Sequence, residues 1–293
     1  MKPRRKFDDP HLESLLPAVP FSRRGFVVSS LATGFALAVR PALGQKPIHT
    51  SAEGLAAGEV KIPVADGSMP AYYARPAAGT RLATIVVMPE IFGVHEHMKD
   101  ICRRLAKAGY LAVCPEIYAR QGDAVNAPTV EAAVRIANAK PDPELFADID
   151  AVIDWAAKSG GGDPARVGIT GFCRGGRQVW MYAAHSNRVK AGVAWYGALE
   201  AAPSATMPRR PIDIARELKV PVLGLYGDAD GGIPVDQVDR MRAALKAAGK
   251  PSEIVLYDDA EHGFFADYRG SYQEKAAQDG WKRMLDWFKR HGV

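Results

Sequence analysis

The sequence predicts an α/β fold, a mostly parallel sheet with helices on both faces. Three observations predict it. Apolar runs of strand length alternate with amphipathic helical segments from residue 59 to the C-terminus. Residues 83–88 form a continuous apolar run, the pattern of a strand covered on both faces. A Gly-rich turn at 171–175 joins a strand-like run (167–170) to a helix that opens at Gly176.

The elements follow in order. Residues 59–64 and 70–76 read as a hairpin around Asp66-Gly67. A helix over 95–108 follows the 83–88 strand, with Met98, Ile101 and Leu105 on one face and Gly109 as its stop. The strand 110–114 comes next. Residues 119–141 lack period and contain Gly122, Pro128 and Pro141. They read as a loop or lid with one short helix near 130–139. Asp142-Pro143-Glu144 opens another helix, with Asp142 as N-cap and Pro143 at the first position. Strands at 190–195, 220–226 and 253–257 and helices at 234–248 and 271–291 complete the alternation, and residues 198–217 are irregular.

The net charge of +5 lies mostly in the first 44 residues, which carry seven basic and three acidic side chains. The remainder is nearly neutral, so the balance argues against a nucleic-acid partner. Ser22-Arg23-Arg24-Gly25-Phe26 precedes a short apolar run rich in small residues. A twin arginine in that setting reads as a Tat export leader, cleaved near residues 42–45. The run is too short and too rich in Gly and Ala for a stable membrane span. Residues 1–44 are expected to be a leader and 45–293 a single domain. The Tat export machinery is the expected partner and the periplasm the expected location, or the cytoplasm if the leader is not functional. Three cysteines, Cys102, Cys114 and Cys173, give neither a disulfide framework nor a metal-ligand spacing. No metal and no cofactor is expected. Cys102, in a helix, and Cys114, at a strand end, read as core residues.

Gly171-Phe172-Cys173-Arg174-Gly175 has the form of a nucleophile elbow with cysteine in place of serine. Its glycines suit a turn in which a neighbouring side chain would collide with strand or helix. A helix N-terminus beside the sulfur favours thiolate over thiol. After the 220–226 strand stand Asp228 and Asp230, either of which can orient a histidine. After the last strand stands His262. Catalytic groups collect at the carboxyl ends of parallel strands. The order Cys173, Asp, His262 is nucleophile, acid, base, as in an α/β-hydrolase. His262 would take the thiol proton, the aspartate would hold the imidazole, and Cys173 would attack a carbonyl carbon. The oxyanion needs two backbone donors, expected from Arg174 and from Ile91 in the loop after the 83–88 strand. Glu90 in that loop is placed to modulate the nucleophile, by taking up the thiol proton or by holding the Arg174 side chain.

Pro89-Glu90-Ile91-Phe92-Gly93-Val94, Cys114-Pro115-Glu116-Ile117-Tyr118-Ala119-Arg120, Gly171-Phe172-Cys173-Arg174-Gly175-Gly176 and His262-Gly263-Phe264 together resemble the dienelactone hydrolase family, carboxymethylenebutenolidase-like members of the α/β-hydrolase superfamily. The resemblance runs over about residues 55–290. It implies a Cys-Asp-His triad at Cys173, Asp230 and His262, and it selects Asp230 over Asp228. It implies that Glu90 pairs with the cysteine until substrate displaces it. It also implies cofactor-free hydrolysis of an enol-lactone to a dicarboxylic acid. Tyr118, Arg174 and Phe264 are expected to touch substrate. The family's dienelactone-cleaving members bind the substrate carboxylate with arginines, one of them shortly after the catalytic histidine. Here that place reads Phe265-Ala266-Asp267, with Arg269 farther on.

The sequence therefore points to a hydrolase of small carboxylic esters or enol-lactones acting through an acyl-Cys173 intermediate. A broad small-ester carboxylesterase on the same triad is the alternative. A thiol redox protein using Cys173 is a more distant one, without a resolving cysteine at C-x-x-C spacing.

Overall fold

A computed structural model describes residues 47–293. The leader reading and its cleavage site lie outside these residues. Eight strands, numbered in chain order, form one sheet: β1 (Leu55–Val64), β2 (Gly67–Pro76), β3 (Leu82–Met88), β4 (Leu111–Pro115), β5 (Gly162–Phe172), β6 (Ala191–Trp195), β7 (Val222–Gly227) and β8 (Glu253–Tyr257). Their spatial order is β1-β2-β4-β3-β5-β6-β7-β8. The β1–β2 and β2–β4 pairings are antiparallel and the rest are parallel. Parallel neighbours need crossovers, and helices supply most of them. The helices are α1 (Glu96–Lys107), α2 (Val130–Asn138), α3 (Asp142–Trp155), α4 (Arg174–His185) and α5 (Val235–Ala247), all in crossovers, and α6 (Glu274–Arg290), which follows β8. No helix among the described residues is long and apolar enough to cross a membrane.

The central strands are buried along their length, as the continuous apolar runs predict. Two glycines show that both faces are covered. A Cβ on Gly168 would lie 2.7 Å from Phe288 of α6, and one on Gly192 would lie 2.7 Å from Val179 of α4. Gly192 pairs with Ile169, the neighbour of Gly168, so these two glycines face opposite sides of the sheet. Helices α6 and α4 therefore pack on opposite faces, each close enough that only hydrogen fits beneath it.

One local expectation is corrected. Asp142 is the first residue of α3, and Pro141 stands in the cap position. The Asp142 carboxylate makes a bidentate pair with Arg177 of α4 (2.8 and 2.9 Å), which fastens the start of α3 to the elbow helix. The link between α3 and β5 is short. Residues Ala156–Gly160 continue α3 as one wide turn that ends at Gly161 with φ +81°. In the 119–141 segment a single helix does form, α2, capped by Thr129, whose Oγ1 accepts the Ala132 N–H at 3.1 Å.

Candidate active site

The parallel strands leave the sheet in register, and that register assembles the site. Met88 lies opposite Gly171, Phe172 opposite Trp195, Trp195 opposite Leu225, and Gly227 opposite Tyr257. The loops that follow these strand ends bring Glu90, Cys173, Tyr196, Asp230 and His262 to the same edge of the sheet.

Cys173 is fully buried, between the end of β5 and the first residue of α4. Its backbone stands at φ 55°, ψ −115°, a conformation that costs a non-glycine residue energy and that recurs at functional turns. The surrounding glycines let the turn close. A Cβ on Gly171 would lie 2.3 Å from the Gly175 carbonyl oxygen, and one on Gly175 would lie 2.3 Å from that of Met88. The Cys173 N–H donates to Trp195 O at 3.0 Å, and the Cys173 carbonyl accepts from Gly176 N–H at 3.0 Å. The turn is thus pinned to the neighbouring strand and to its own helix.

His262 Nδ1 lies 2.7 Å from Asp230 Oδ2, with both side chains buried. The other carboxylate oxygen of Asp230 accepts the N–H groups of Gly232 (2.8 Å) and Ile233 (3.2 Å), which fixes the carboxylate toward the ring. Asp228 is exposed instead. With Nδ1 engaged by Asp230, Nε2 is the other ring nitrogen, and the Cys173 sulfur acts on the same imidazole. Burial opposes charge on His262. The Asp230 carboxylate and the Cys173 sulfur outweigh it, and the imidazole is raised to about 10. The charged imidazolium is the state this favours.

Glu90 is fully buried, yet its carboxyl is held well below the usual carboxylate range. Burial alone would raise it. The Arg269 guanidinium (3.4 Å), His95 (3.4 Å) and the Tyr268 hydroxyl, which donates to Oε2, reverse that effect. Burial keeps His95 below its ordinary value, so Arg269 is the cation that matches Glu90. The guanidinium against Glu90 is therefore not that of Arg174. The Arg174 side chain reaches across to Asn138 Oδ1 (2.5 Å) and Met207 Sδ (2.8 Å) and ties the elbow helix to α2 and to the 198–210 loop.

Arg269, Tyr268, His95 and Tyr196 are site residues that the sequence reading missed. Arg269 looked too far from His262. Two successive turns, Ala266 N–H to Gly263 O (2.8 Å) and Arg269 N–H to Ala266 O (2.9 Å), fold the segment back and remove that distance. Of the remaining expected residues, Ile91 lies buried in the loop after β3. Tyr118 is buried, and Gln178 Nε2 donates to its hydroxyl at 3.4 Å. Phe264 is buried among Trp195, Tyr196 and Tyr257. A cavity of about 750 Å³ lies elsewhere, between the β1–β2 hairpin and residues 119–126, where Val94 and Glu116 line it.

A family model described as "Dienelactone hydrolase family" matches residues 69–292. The chain belongs to the dienelactone hydrolase family. A relative from Methylorubrum extorquens named "Putative carboxymethylenebutenolidase" is 55% identical over 286 residues, covering 97% of this chain and 98% of its own. A relative of the same name from Salmonella typhimurium is 50% identical over 262 residues, 89% of this chain and 96% of its own. The crystal structure of a "Putative Dienelactone Hydrolase" from Klebsiella pneumoniae is 52% identical with a TM-score of 0.78, covering 80% of this chain and 99% of that one. The sheet and helices described above are the α/β-hydrolase fold of the dienelactone hydrolase family, and the chain is a hydrolase.

Proposed function

We propose that this dienelactone hydrolase family member hydrolyses small carboxylic esters or enol-lactones through a Cys173-Asp230-His262 triad and an acyl-cysteine intermediate. The observation that carries the reading is the buried His262–Asp230 contact at 2.7 Å beside a cysteine on a strained elbow. The thiolate attacks the carbonyl carbon. The tetrahedral oxyanion takes the backbone N–H groups of Ile91 and Arg174. The carbon–oxygen bond to the leaving group then breaks, and His262 gives its proton to the departing oxygen. A water that loses a proton to His262 attacks the thioester, and the Cys173 thiolate leaves with the acid as product.

Arg269 supports a substrate that carries its own carboxylate. Its guanidinium is buried and matched to Glu90, over the Phe92 ring at 5.9 Å. A substrate carboxylate entering beside Cys173 would compete with Glu90 for it. Glu90 then modulates the nucleophile through the charge it shares with Arg269. Tyr118 and Phe264 contribute walls to the same space. The twin-arginine segment Arg23-Arg24 supports export of the protein to the periplasm by the Tat machinery.

The test uses residues 45–293 of the wild type and Cys173→Ala, on p-nitrophenyl acetate and on dienelactone. Turnover of both, abolished by the substitution, is the expected result. Turnover of the simple ester alone would keep the triad and discard the lactone. Equal rates in the two proteins would overturn the cysteine mechanism.

A further inference from the structure

Tyr196 follows the last residue of β6 and is 1% exposed. Its backbone stands at φ +38°, in the left-handed region that an aromatic residue rarely adopts. The position is nonetheless fixed. Its N–H donates to Leu225 O at 2.8 Å. Its ring meets His262 edge to face at 5.1 Å and packs against Phe264 (5.3 Å) and Phe172 (6.3 Å).

The hydroxyl oxygen is buried and has no hydrogen-bond partner among the described residues. The other deeply buried tyrosines do. The Tyr118 hydroxyl accepts from Gln178, that of Tyr182 donates to Asp150, that of Tyr226 to Gly197 O, and that of Tyr268 to Glu90. Tyr196 thus combines a strained backbone with an unpaired polar atom. Both features cost stability, and folds retain such features where function needs them. The charged and titratable groups acting on this phenol are Glu90, Arg269, Tyr268 and Cys173, the same groups that define the site. Burial first, and then the negative charge of Glu90, keep the phenol protonated. It is therefore a donor at every working pH.

We propose that the Tyr196 hydroxyl donates a hydrogen bond to an acceptor oxygen of the bound ester or lactone, beside Cys173 and His262. The inference rests on the hydrolase reading given above and assigns Tyr196 as a residue that touches substrate. The ring holds its place by packing, and the hydroxyl is completed by the ligand.

Tyr196→Phe removes only the oxygen and leaves the packing of the ring unchanged. Three measurements on residues 45–293 read the result. Turnover (kcat/KM) on p-nitrophenyl acetate and dienelactone is expected to fall about 10–100-fold, the worth of one hydrogen bond to developing negative charge. The Tm is expected to stay level or rise, because an unpaired buried hydroxyl has been removed. Alkylation of Cys173 by iodoacetamide, which needs the thiolate but no substrate oxygen, is expected to stay within twofold. A lower Tm would show that the hydroxyl holds the fold, and would overturn the proposal. Turnover within twofold of wild type would also overturn it, as would alkylation falling in step with turnover. A wild type that hydrolyses neither substrate, with Cys173 still reactive to iodoacetamide, would be a different failure. It would bring down the hydrolase reading on which this proposal rests.

Discussion

Asp230 Oδ2 and His262 Nδ1 meet at 2.7 Å, 32 residues apart in sequence and fully shielded from water. In the proposed mechanism this contact fixes the tautomer that presents Nε2 to the sulfur, and it lowers the energy of the imidazolium formed in each half of the reaction. An amide at position 230 keeps the size and loses both effects. Asp230→Asn should lower kcat by about 10⁴-fold, the scale seen when this partner is replaced by its amide in a triad, with KM little changed. Steady-state kinetics on p-nitrophenyl acetate checks this. A loss below tenfold would mean that Asp230 does not orient the base.

The charge state of His262 gives a stability prediction with a definite sign. The folded protein raises His262 to about 10, whereas an exposed histidine titrates near 6.5. A raised folded value means that the charged form stabilises the fold. That contribution is complete below the unfolded value of about 6.5 and is lost as the pH rises through about 10. The urea midpoint of the wild type should therefore fall from pH 7 to pH 10.5 more than that of His262→Gln. Parallel curves for the two proteins would show that no stabilising imidazolium exists.

Arg269 and Glu90 form a buried pair whose neighbours cannot replace the missing partner. Arg269→Met leaves a carboxylate that is 0% exposed facing Tyr268 and a histidine that burial keeps neutral. Removing one member of a buried pair costs about 3–5 kcal/mol, or a fall in Tm on the order of 10 °C for a domain of this size. Glu90→Gln introduced together with Arg269→Met should recover part of the loss. The pH dependence has the opposite sign to that of His262. Glu90 is held below the ordinary carboxylate range, so its contribution is present above that range and is lost as the pH falls through its folded value. Calorimetry of the single and double variants at pH 7 decides the matter. A double variant no more stable than the single would mean that the pair does not stabilise the fold.

The sheet was legible because burial on both faces leaves a continuous apolar run, and residues 83–88 and 191–195 carry one. The placing of Cys173, Asp230 and His262 at one edge of the sheet was legible because each lies within five residues of the end of a parallel strand, where sequence order and spatial order agree. Asp228 and Asp230 could not be separated by spacing, since two residues on one turn are equally close to His262 along the chain. The structure separates them by pointing Asp228 to solvent and tying Asp230 to two N–H groups. Arg269 and Tyr268 were illegible because the folded-back turns after Gly263 bring them to Glu90, and a separation of 178 residues carries no periodic signal. Asp142 followed a sound helix-start pattern, but a bidentate partnership with Arg177 claimed its carboxylate. Local propensity gives way there to a tertiary ion pair.

Gly93 and Glu116 shape the loop that carries Ile91. Gly93 stands at φ +65°, and a Cβ there would lie 2.4 Å from Glu116 Oε2. That same oxygen accepts the Val94 N–H at 2.6 Å. The carboxylate thus fills the space that a side chain at position 93 would need, and it fixes the backbone three residues beyond the proposed oxyanion donor. Gly93→Ala presses on both contacts at once, since alanine disfavours the left-handed backbone and its methyl group meets the carboxylate. The loop must move, and a donor displaced by a few tenths of an ångström loses much of its effect on a developing oxyanion. Ester turnover should fall about 10–100-fold in kcat, while alkylation of Cys173 by iodoacetamide, which needs no oxyanion donor, should stay within twofold. Glu116→Gln keeps an acceptor for Val94 and should lose less than Gly93→Ala. Equal losses in turnover and alkylation for Gly93→Ala would mean that the loop supports the thiolate itself and not the oxyanion.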